Sequence, residues 1–405
     1  MSTPKPPRRD VVATRKGSST TQRSRPADRK KQLVDHASTL FLERGYPHVS
    51  VADIAGAAGV TAPSVYRHFT DKQALLSAAV LAGVDDLEAC TDRTLGDGSR
   101  PLDELVDALC DLGVRHPESV SLWRWTSSYL SEDQNKQMVM RTRQVLTRWA
   151  DAIVADRREL TDREGRALGW AALSVVGSLA VHNTRMSASR AHAELAVLTR
   201  RLLELHPSTA PELPAVPQIV GLTSSRRDEI LDGAAALFAD HGYADVGVDD
   251  IGRAVGITGP SVYKHFSSKL AILLAIGQRS AMRLEAGVMA AQGSTADPAK
   301  LLGLLVDSYV TVITSTPDLS VAFNSSSVLA GQDPAAELLD VQRRYVRRWV
   351  DLLGQVQPEA RVDQRTVAVH AALSIVNDAV RMRRGVTRPD FGAEMAYLMK
   401  GVLGL

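Results

Sequence analysis

A chain of 405 residues is long for one domain and comfortable for two of about 200 residues each; its 44% hydrophobic, 23% charged and 5% aromatic content is that of a globular protein. This composition excludes a collagenous, disulfide-stapled or wholly disordered chain, and the two cysteines, Cys90 and Cys110, lack CxxC spacing and read as reduced core thiols. The net charge of +2 is unevenly spread: residues 1–31 carry ten Lys and Arg against two Asp, a local +8 that leaves −6 for the remainder.

In chain order, residues 1–24 are rich in Pro, Arg and Ser and are predicted to form a disordered basic arm, suited either to a polyanion or to solvent alone. Its longest apolar run, Val11-Val12-Ala13, is no signal peptide. From residue 25 the pattern turns helical. Leu33, Ala37, Leu40 and Phe41 share one helical face, and Gly45 follows as a stop. Val51–Ala58 makes about two further turns before Gly59 breaks the helix. Val60 then supplies an apolar plug, Thr61 can cap the next helix, and Pro63 is tolerated in its first turn. That next helix is expected to be short, Ala62–His68. With Ile54, Ala57, Val60 and Val65 inward, the pair makes a helix-turn-helix whose outer face presents Thr61, Ser64, Tyr66, Arg67 and His68, followed by Lys72. These are hydrogen-bond donors and cations of the kind phosphates attract.

Further on, Ala167–Val181 is uncharged but short of the roughly 18 residues that span a bilayer, so a buried core helix, a cytoplasmic location and no membrane partner are expected. His206–Gly221 holds Pro207, Pro211, Pro214 and Pro217 and reads as a semi-rigid linker.

The second half repeats the first. Placing Arg29–Val80 over Arg226–Gly277 needs no gap and gives 24 identities in 52 pairs. With a shift of 200, Leu105-Val106-Asp107 matches Leu305-Val306-Asp307, Arg148-Trp149 matches Arg348-Trp349, and Ala171–Ser174 matches Ala371–Ser374. Ile230, Ala234, Leu237 and Phe238 repeat the first helical face, Gly242 its stop, and Gly256, Ile257, Thr258 and Pro260 the turn. The period describes one all-α domain duplicated, each copy of about nine helices. The expected divisions are the arm at 1–24, helix-turn-helix domains at 25–80 and 223–277, C-terminal helical domains at 81–206 and 278–405, and the linker at 207–222.

The runs GVTAPSVYRHFTDK at Gly59–Lys72 and GITGPSVYKHFSSK at Gly256–Lys269 resemble the TetR repressor signature, as do the FxxxGY segments Phe41–Tyr46 and Phe238–Tyr243. The resemblance covers about 50 residues of each copy, and the chain as a whole looks like a tandem regulator of that family of the actinobacterial type. It implies a helical ligand-binding and dimerisation bundle after each helix-turn-helix. Carried over by position, Thr61, Ala62, Pro63 and Ser64, with Thr258, Gly259, Pro260 and Ser261, begin the recognition helices and would meet phosphates or base edges. Tyr66 and His68, with Tyr263 and His265, would bond phosphates, as would Lys72 and Lys269 at the start of the fourth helix. Ser50 would cap the second helix and could touch a phosphate, whereas the other copy has Gly247 there.

Bland roles compete with these. Phe69 and Phe266 are core residues, Tyr66 and Tyr263 can be packing residues with wet hydroxyls, and Lys72 and Lys269 can be solvated charges. His68 and His265 have no partner at metal-ligand spacing. Arg67 against Lys264, and Ala62 against Gly259, predict two similar but non-identical half-sites, because Arg grips a guanine edge bidentately and Lys does not.

In the C-terminal halves, Gly169, Ala172, Val176 and Leu179, and in the second copy Ala368, Ala372, Ile375 and Ala379, can line close-packed faces through which the two copies pair as an intramolecular pseudo-dimer. A chain acting as a monomer is then possible. Trp123, Trp125, Tyr129, Trp170 and His182, near Met138 and Met140, are candidates for an apolar effector pocket in the first copy; Phe323, Asn324, Tyr345, Trp349 and His370 are the second copy's counterparts. Such clusters can equally be core.

The leading expectation is a regulator that binds a double-stranded DNA operator and is released by a small hydrophobic effector, with activation in place of repression left open. The alternative is a helical interaction scaffold with silent helix-turn-helix units. No enzyme and no cofactor are expected, since no nucleophile–base pair, metal spacing or phosphate loop is present in the sequence.

Overall fold

The computed structural model describes residues 26–96, 102–126, 129–182, 184–214, 225–329, 335–382 and 386–405. The basic arm and residues 215–222 of the expected linker lie outside the described residues. The first copy contains α1 Pro26–Arg44, α2 Val51–Ala57, α3 Ala62–Val65, α4 Lys72–Leu95, α5 Leu102–Arg115, α6 Pro117–Ser121, α7 Trp123–Thr126, α8 Glu132–Asp156, α9 Asp162–Gly177 and α10 Ala188–Leu203. The second repeats them in order as α11 Arg226–His241, α12 Val248–Ala254, α13 Gly259–Val262, α14 Lys269–Ser294, α15 Pro298–Ser315, α16 Asp318–Asn324, α17 Ser326–Leu329, α18 Ala336–Val356, α19 Val362–Arg381 and α20 Phe391–Leu403. The fold is all-α, as the pattern of the sequence requires. Among the described residues each copy holds ten α-helical segments, in line with the about nine expected, the short pairs α6–α7 and α16–α17 lying in the middle of each.

Small polar residues start many of these helices. Ser131, Thr161 and Ser225 each accept a hydrogen bond from the backbone N–H three residues on, which satisfies one of the donors left open at a helix start. Gly45 and Gly242 adopt φ of 78° and 82° with extended ψ, a region essentially closed to residues with a Cβ, and each turns the chain from the first helix towards the helix-turn-helix.

One continuous apolar core runs through both C-terminal halves and the first helix-turn-helix, with Trp149 and Trp349 buried at matching places. The second helix-turn-helix has a core of its own around Ile230, Phe238, Ile251 and Phe266. α9 packs against α19, and α10 against both α19 and α20. Polar groups cross the same boundary: Arg124 to Asp378, Arg163 to Asp390 and Glu394, Arg190 to Asp363 at 3.0 Å, and the Gln364 amide donating to Glu194 at 2.8 Å.

Two details differ from the sequence reading. Gly169 does not face the other copy: a Cβ there would meet Trp149 Cβ at 3.6 Å and the Leu146 carbonyl at 3.7 Å, both on its own α8. Val176 likewise lies against Gly113 of its own α5. Gly165, Gly169 and Gly177 of α9 therefore serve close packing within the copy. The expected linker is also partly built in, since Pro207 is buried in a short turn, Ser208 N–H donates to Glu164 at 3.0 Å, and Leu213 packs against Gly392.

Candidate nucleic-acid interface

The helix-turn-helix is assembled from local chemistry. Ser50 Oγ accepts from Asp53 N–H at 3.1 Å while Ser50 N–H donates to Asp53 Oδ2 at 2.7 Å, a reciprocal cap that fixes the start of α2; the Ser50 hydroxyl, donating to the same Oδ2, and then that N–H hold the Asp53 carboxyl below its ordinary range. Gly247 retains only half of this, donating its N–H to Asp250 at 2.8 Å. Gly59 and Gly256, at φ 65° and 70°, make the turn. Ile54 and Val65 are buried as expected. Ala57 is not: it is exposed, and Ala55 takes the inward place, because α2 presents positions 54 and 55 to the core.

The recognition helices are also shorter than expected. α3 ends at Val65, and Tyr66–His68 continue as a tightened turn in which His68 N–H reaches the Val65 carbonyl at 2.9 Å. Thr61 stands at the cap position without capping the backbone; its hydroxyl pairs with Ser64 at 3.1 Å, and Thr258 pairs with Ser261 at 2.9 Å in the same way. Outward, Ser50, Thr61, Pro63, Tyr66 and Arg67 are exposed, and Ala62, Ser64 and His68 are half-buried. The second copy presents Thr258, Pro260, Tyr263 and Lys264 exposed, Ser261 and His265 half-buried, and Gly259 buried. Tyr66 and Tyr263 are 55% and 56% exposed, too open for packing residues. Phe69 and Phe266 are buried.

Lys72 and Lys269 have a different position from the one expected of free cations. Lys72 Nζ donates to the Tyr46 carbonyl at 2.7 Å and lies 4.1 Å from the Tyr46 ring centre. Lys269 donates to the Tyr243 and Val246 carbonyls at 2.7 and 2.9 Å, with the Tyr243 ring 4.3 Å away. Partial burial lowers both lysine pKa values. Each ammonium thus ties the start of the fourth helix to the FxxxGY turn, and the tyrosine of that motif is the platform beneath it. The repeated GY pair was the visible sign of this contact. Arg227 braces the second unit further, donating to the His265 carbonyl at 2.6 Å with its guanidinium 4.0 Å from the Phe266 ring centre.

The first-copy pocket candidates divide between different contacts. Trp123 and Trp170 pack on one another at 5.2 Å, both buried. Tyr129 instead meets Tyr46 at 4.7 Å, and its carbonyl accepts from Gln73, so it joins the C-terminal half to the helix-turn-helix. His182 stacks on His370 of the second copy at 4.4 Å. The Trp125 side chain lies outside the described residues. An apolar cavity of about 50 Å³ lies in the second copy, lined by Leu284, Tyr309, Leu319, Phe323, Tyr345 and Leu373 among others. At the shift of 200, Trp123 corresponds to Phe323 and Trp170 to His370, so smaller rings stand in the second copy where indoles fill the first.

Residues 33–79 and 230–276 each match the family described as bacterial regulatory proteins, tetR family. The chain is 30% identical over 139 residues to the HTH-type transcriptional repressor KstR2 of Mycobacterium tuberculosis, a stretch that covers 34% of this chain and 70% of that protein. It is 38% identical over 84 residues to the HTH-type transcriptional activator FasR of Mycolicibacterium smegmatis, covering 21% of this chain and 38% of FasR. The solved structure of the ketosteroid transcriptional regulator KstR2 of Mycobacterium tuberculosis is 27% identical, with a TM-score of 0.41, over 46% of this chain and 97% of that one.

Proposed function

The chain belongs to the TetR family of bacterial regulatory proteins, and from that premise we propose that it is a sequence-specific DNA-binding transcriptional regulator whose two helix-turn-helix units read two half-sites from a single chain. The observation that carries this reading is the duplicated outer face. Thr61, Tyr66 and Arg67 in one copy and Thr258, Tyr263 and Lys264 in the other stand exposed on scaffolds whose C-terminal halves share one core. A shared core supports internal pairing, in which the chain supplies by itself the two reading heads that a homodimer would supply with two chains. The heads must then lie about 34 Å apart, or a multiple of it, to enter one face of B-DNA.

The regulator acts as a repressor released by a small, mainly apolar effector. The second-copy cavity supports placing that effector there, since its walls are aromatic and aliphatic and its two phenols, Tyr309 and Tyr345, are uncharged, burial raising their pKa values further. An occupant that enlarges the cavity would press on α14, which begins at Lys269 beside the second reading head.

Titration of the full chain onto its own upstream intergenic DNA, with the mass of the complex read by light scattering, tests the reading. One chain per site, with affinity lowered at least about tenfold by Arg67→Ala combined with Lys264→Ala, is the expected result. Two chains per site would discard internal pairing, and binding that does not depend on these cations would discard the assignment of the face.

A further inference from the structure

The two reading heads differ in more than their arginine and lysine. Over the matched 52 residues the first copy carries six Lys and Arg against four Asp and Glu, and the second carries five against seven. One of the added acids stands on the outer face. Asp249 Oδ1 lies 1.8 Å from the point where a Cβ on Gly259 would sit, so its carboxylate occupies the volume that the Ala62 methyl fills in the first copy. The first copy has Ala52 at the position of Asp249. Ala52 with Ala62 has therefore become Asp249 with Gly259, a paired exchange that refills the vacated methyl site with a charged group.

A second exchange tightens the same joint. Gly252 stands where the first copy has Ala55, and a Cβ on it would lie 2.9 Å from the Ile257 carbonyl oxygen and 3.0 Å from Gly259 N. α12 thus approaches the start of α13 more closely than a methyl would allow, and this holds the Asp249 carboxylate against Gly259. Neighbouring acids are used internally: Asp250 accepts from Gly247 N–H and pairs with Arg253 at 3.0 Å. Asp249 is exposed and makes no hydrogen bond or ion pair among the described residues. The Gly259 it lies against follows Thr258 directly at the start of α13, the helix that carries the groups assigned to DNA.

An exposed, unpaired carboxylate at a polyanion's surface is repelled by phosphate, and it gains only where a donor faces it. In the major groove that donor is an exocyclic amine, and the pairing of Asp with the cytosine N4 amine is the one its geometry favours. Resting on the reading of this chain as a DNA-binding regulator, we propose that Asp249 is a specificity-determining residue that selects a C·G pair in the second half-site. Ala52, with no acceptor, imposes no such choice on the first half-site.

Enrichment of random-sequence duplexes by the full chain, followed by affinity measurement on single-base variants of the enriched site, tests this. The wild type is expected to enrich an asymmetric site with a fixed C·G pair in one half, where substitution lowers affinity roughly 5- to 150-fold. In Asp249→Ala the same substitution is expected to cost less than about twofold, while the other half-site is read as before. The variant side chain is exposed and unpartnered, so the fold is retained. An unchanged preference at every position overturns the proposal, and so does a uniform rise in affinity on all duplexes, which would make the carboxylate a mere repellent of phosphate. Failure of the wild type to enrich any sequence overturns the DNA-binding reading itself.

Discussion

A buried ion pair joins the two copies. Arg124 at the end of the first copy's short helices donates to both oxygens of Asp378 in the second, at 2.6–2.9 Å, and to the Ser174 and Gly177 carbonyls. Both side chains are 1% exposed. Asp378 also holds Arg381 at 2.9 Å, so one carboxylate serves two guanidiniums. The asymmetry decides which substitution costs more. Arg124→Ala leaves Asp378 with Arg381 and is expected to cost about 3 kcal/mol, the low end of breaking a buried pair. Asp378→Ala removes the shared anion from two buried cations and is expected to cost at least about 4 kcal/mol. Urea unfolding of the two variants checks the order; a smaller loss for Asp378→Ala would mean that Arg381 carries none of the pairing.

At the scale of elements, the two helix-turn-helix units look alike in sequence and differ in how closely their helices approach. Gly59 and Gly256 have open space around a hypothetical Cβ, so substituting alanine costs only the left-handed backbone, about 1–2 kcal/mol in either copy. Gly252 is the opposite case, with ordinary φ but backbone atoms at 2.9–3.0 Å. Gly252→Ala is expected to push α12 and α13 apart, cost about 1–3 kcal/mol, and weaken binding at the second half-site alone. Amide hydrogen exchange confined to α11–α13 would report it, and exchange that rises equally in α1–α3 would refute it. The units themselves were legible because their signals are local: a stop glycine, a cap, a turn glycine and an apolar periodicity all lie within 50 residues. The orientation of α2 was not, because a helix of two turns takes its rotation from what it packs on, and Ala55 displaced Ala57 from the core. The contacts of two pocket candidates were not legible for a related reason. Tyr129 and His182 find their partners in Tyr46 and His370, at sequence separations that periodicity does not reach. The tryptophan-rich first copy was the one the sequence favoured for an effector, whereas its Trp123 and Trp170 pack on one another and the apolar cavity lies in the second copy.

For the whole molecule, the joint between copies matters as much as either copy, and it contains a titratable pair. His182 and His370 stack at 4.4 Å, and burial holds their pKa values down to about 3 and about 4, the nearby His370 adding to the effect on His182. Both rings are therefore neutral in the folded chain at neutral pH, while in the unfolded chain they would take up protons near pH 6.5. Below pH 6.5 the unfolded state binds more protons than the folded one, so stability falls with pH, and it continues to fall until the folded rings themselves protonate. At pH 5 this amounts to about 2 kcal/mol per ring. Acid should thus loosen the joint before the paired carboxylates are protonated. The expected outcome is a fall in unfolding free energy between pH 6.5 and 4.5 that is largely removed in His182→Asn combined with His370→Asn, measured by urea titration at each pH. A pH profile of the double variant that parallels the wild type would place the acid-sensitive groups elsewhere and leave the stacked pair with a packing role only.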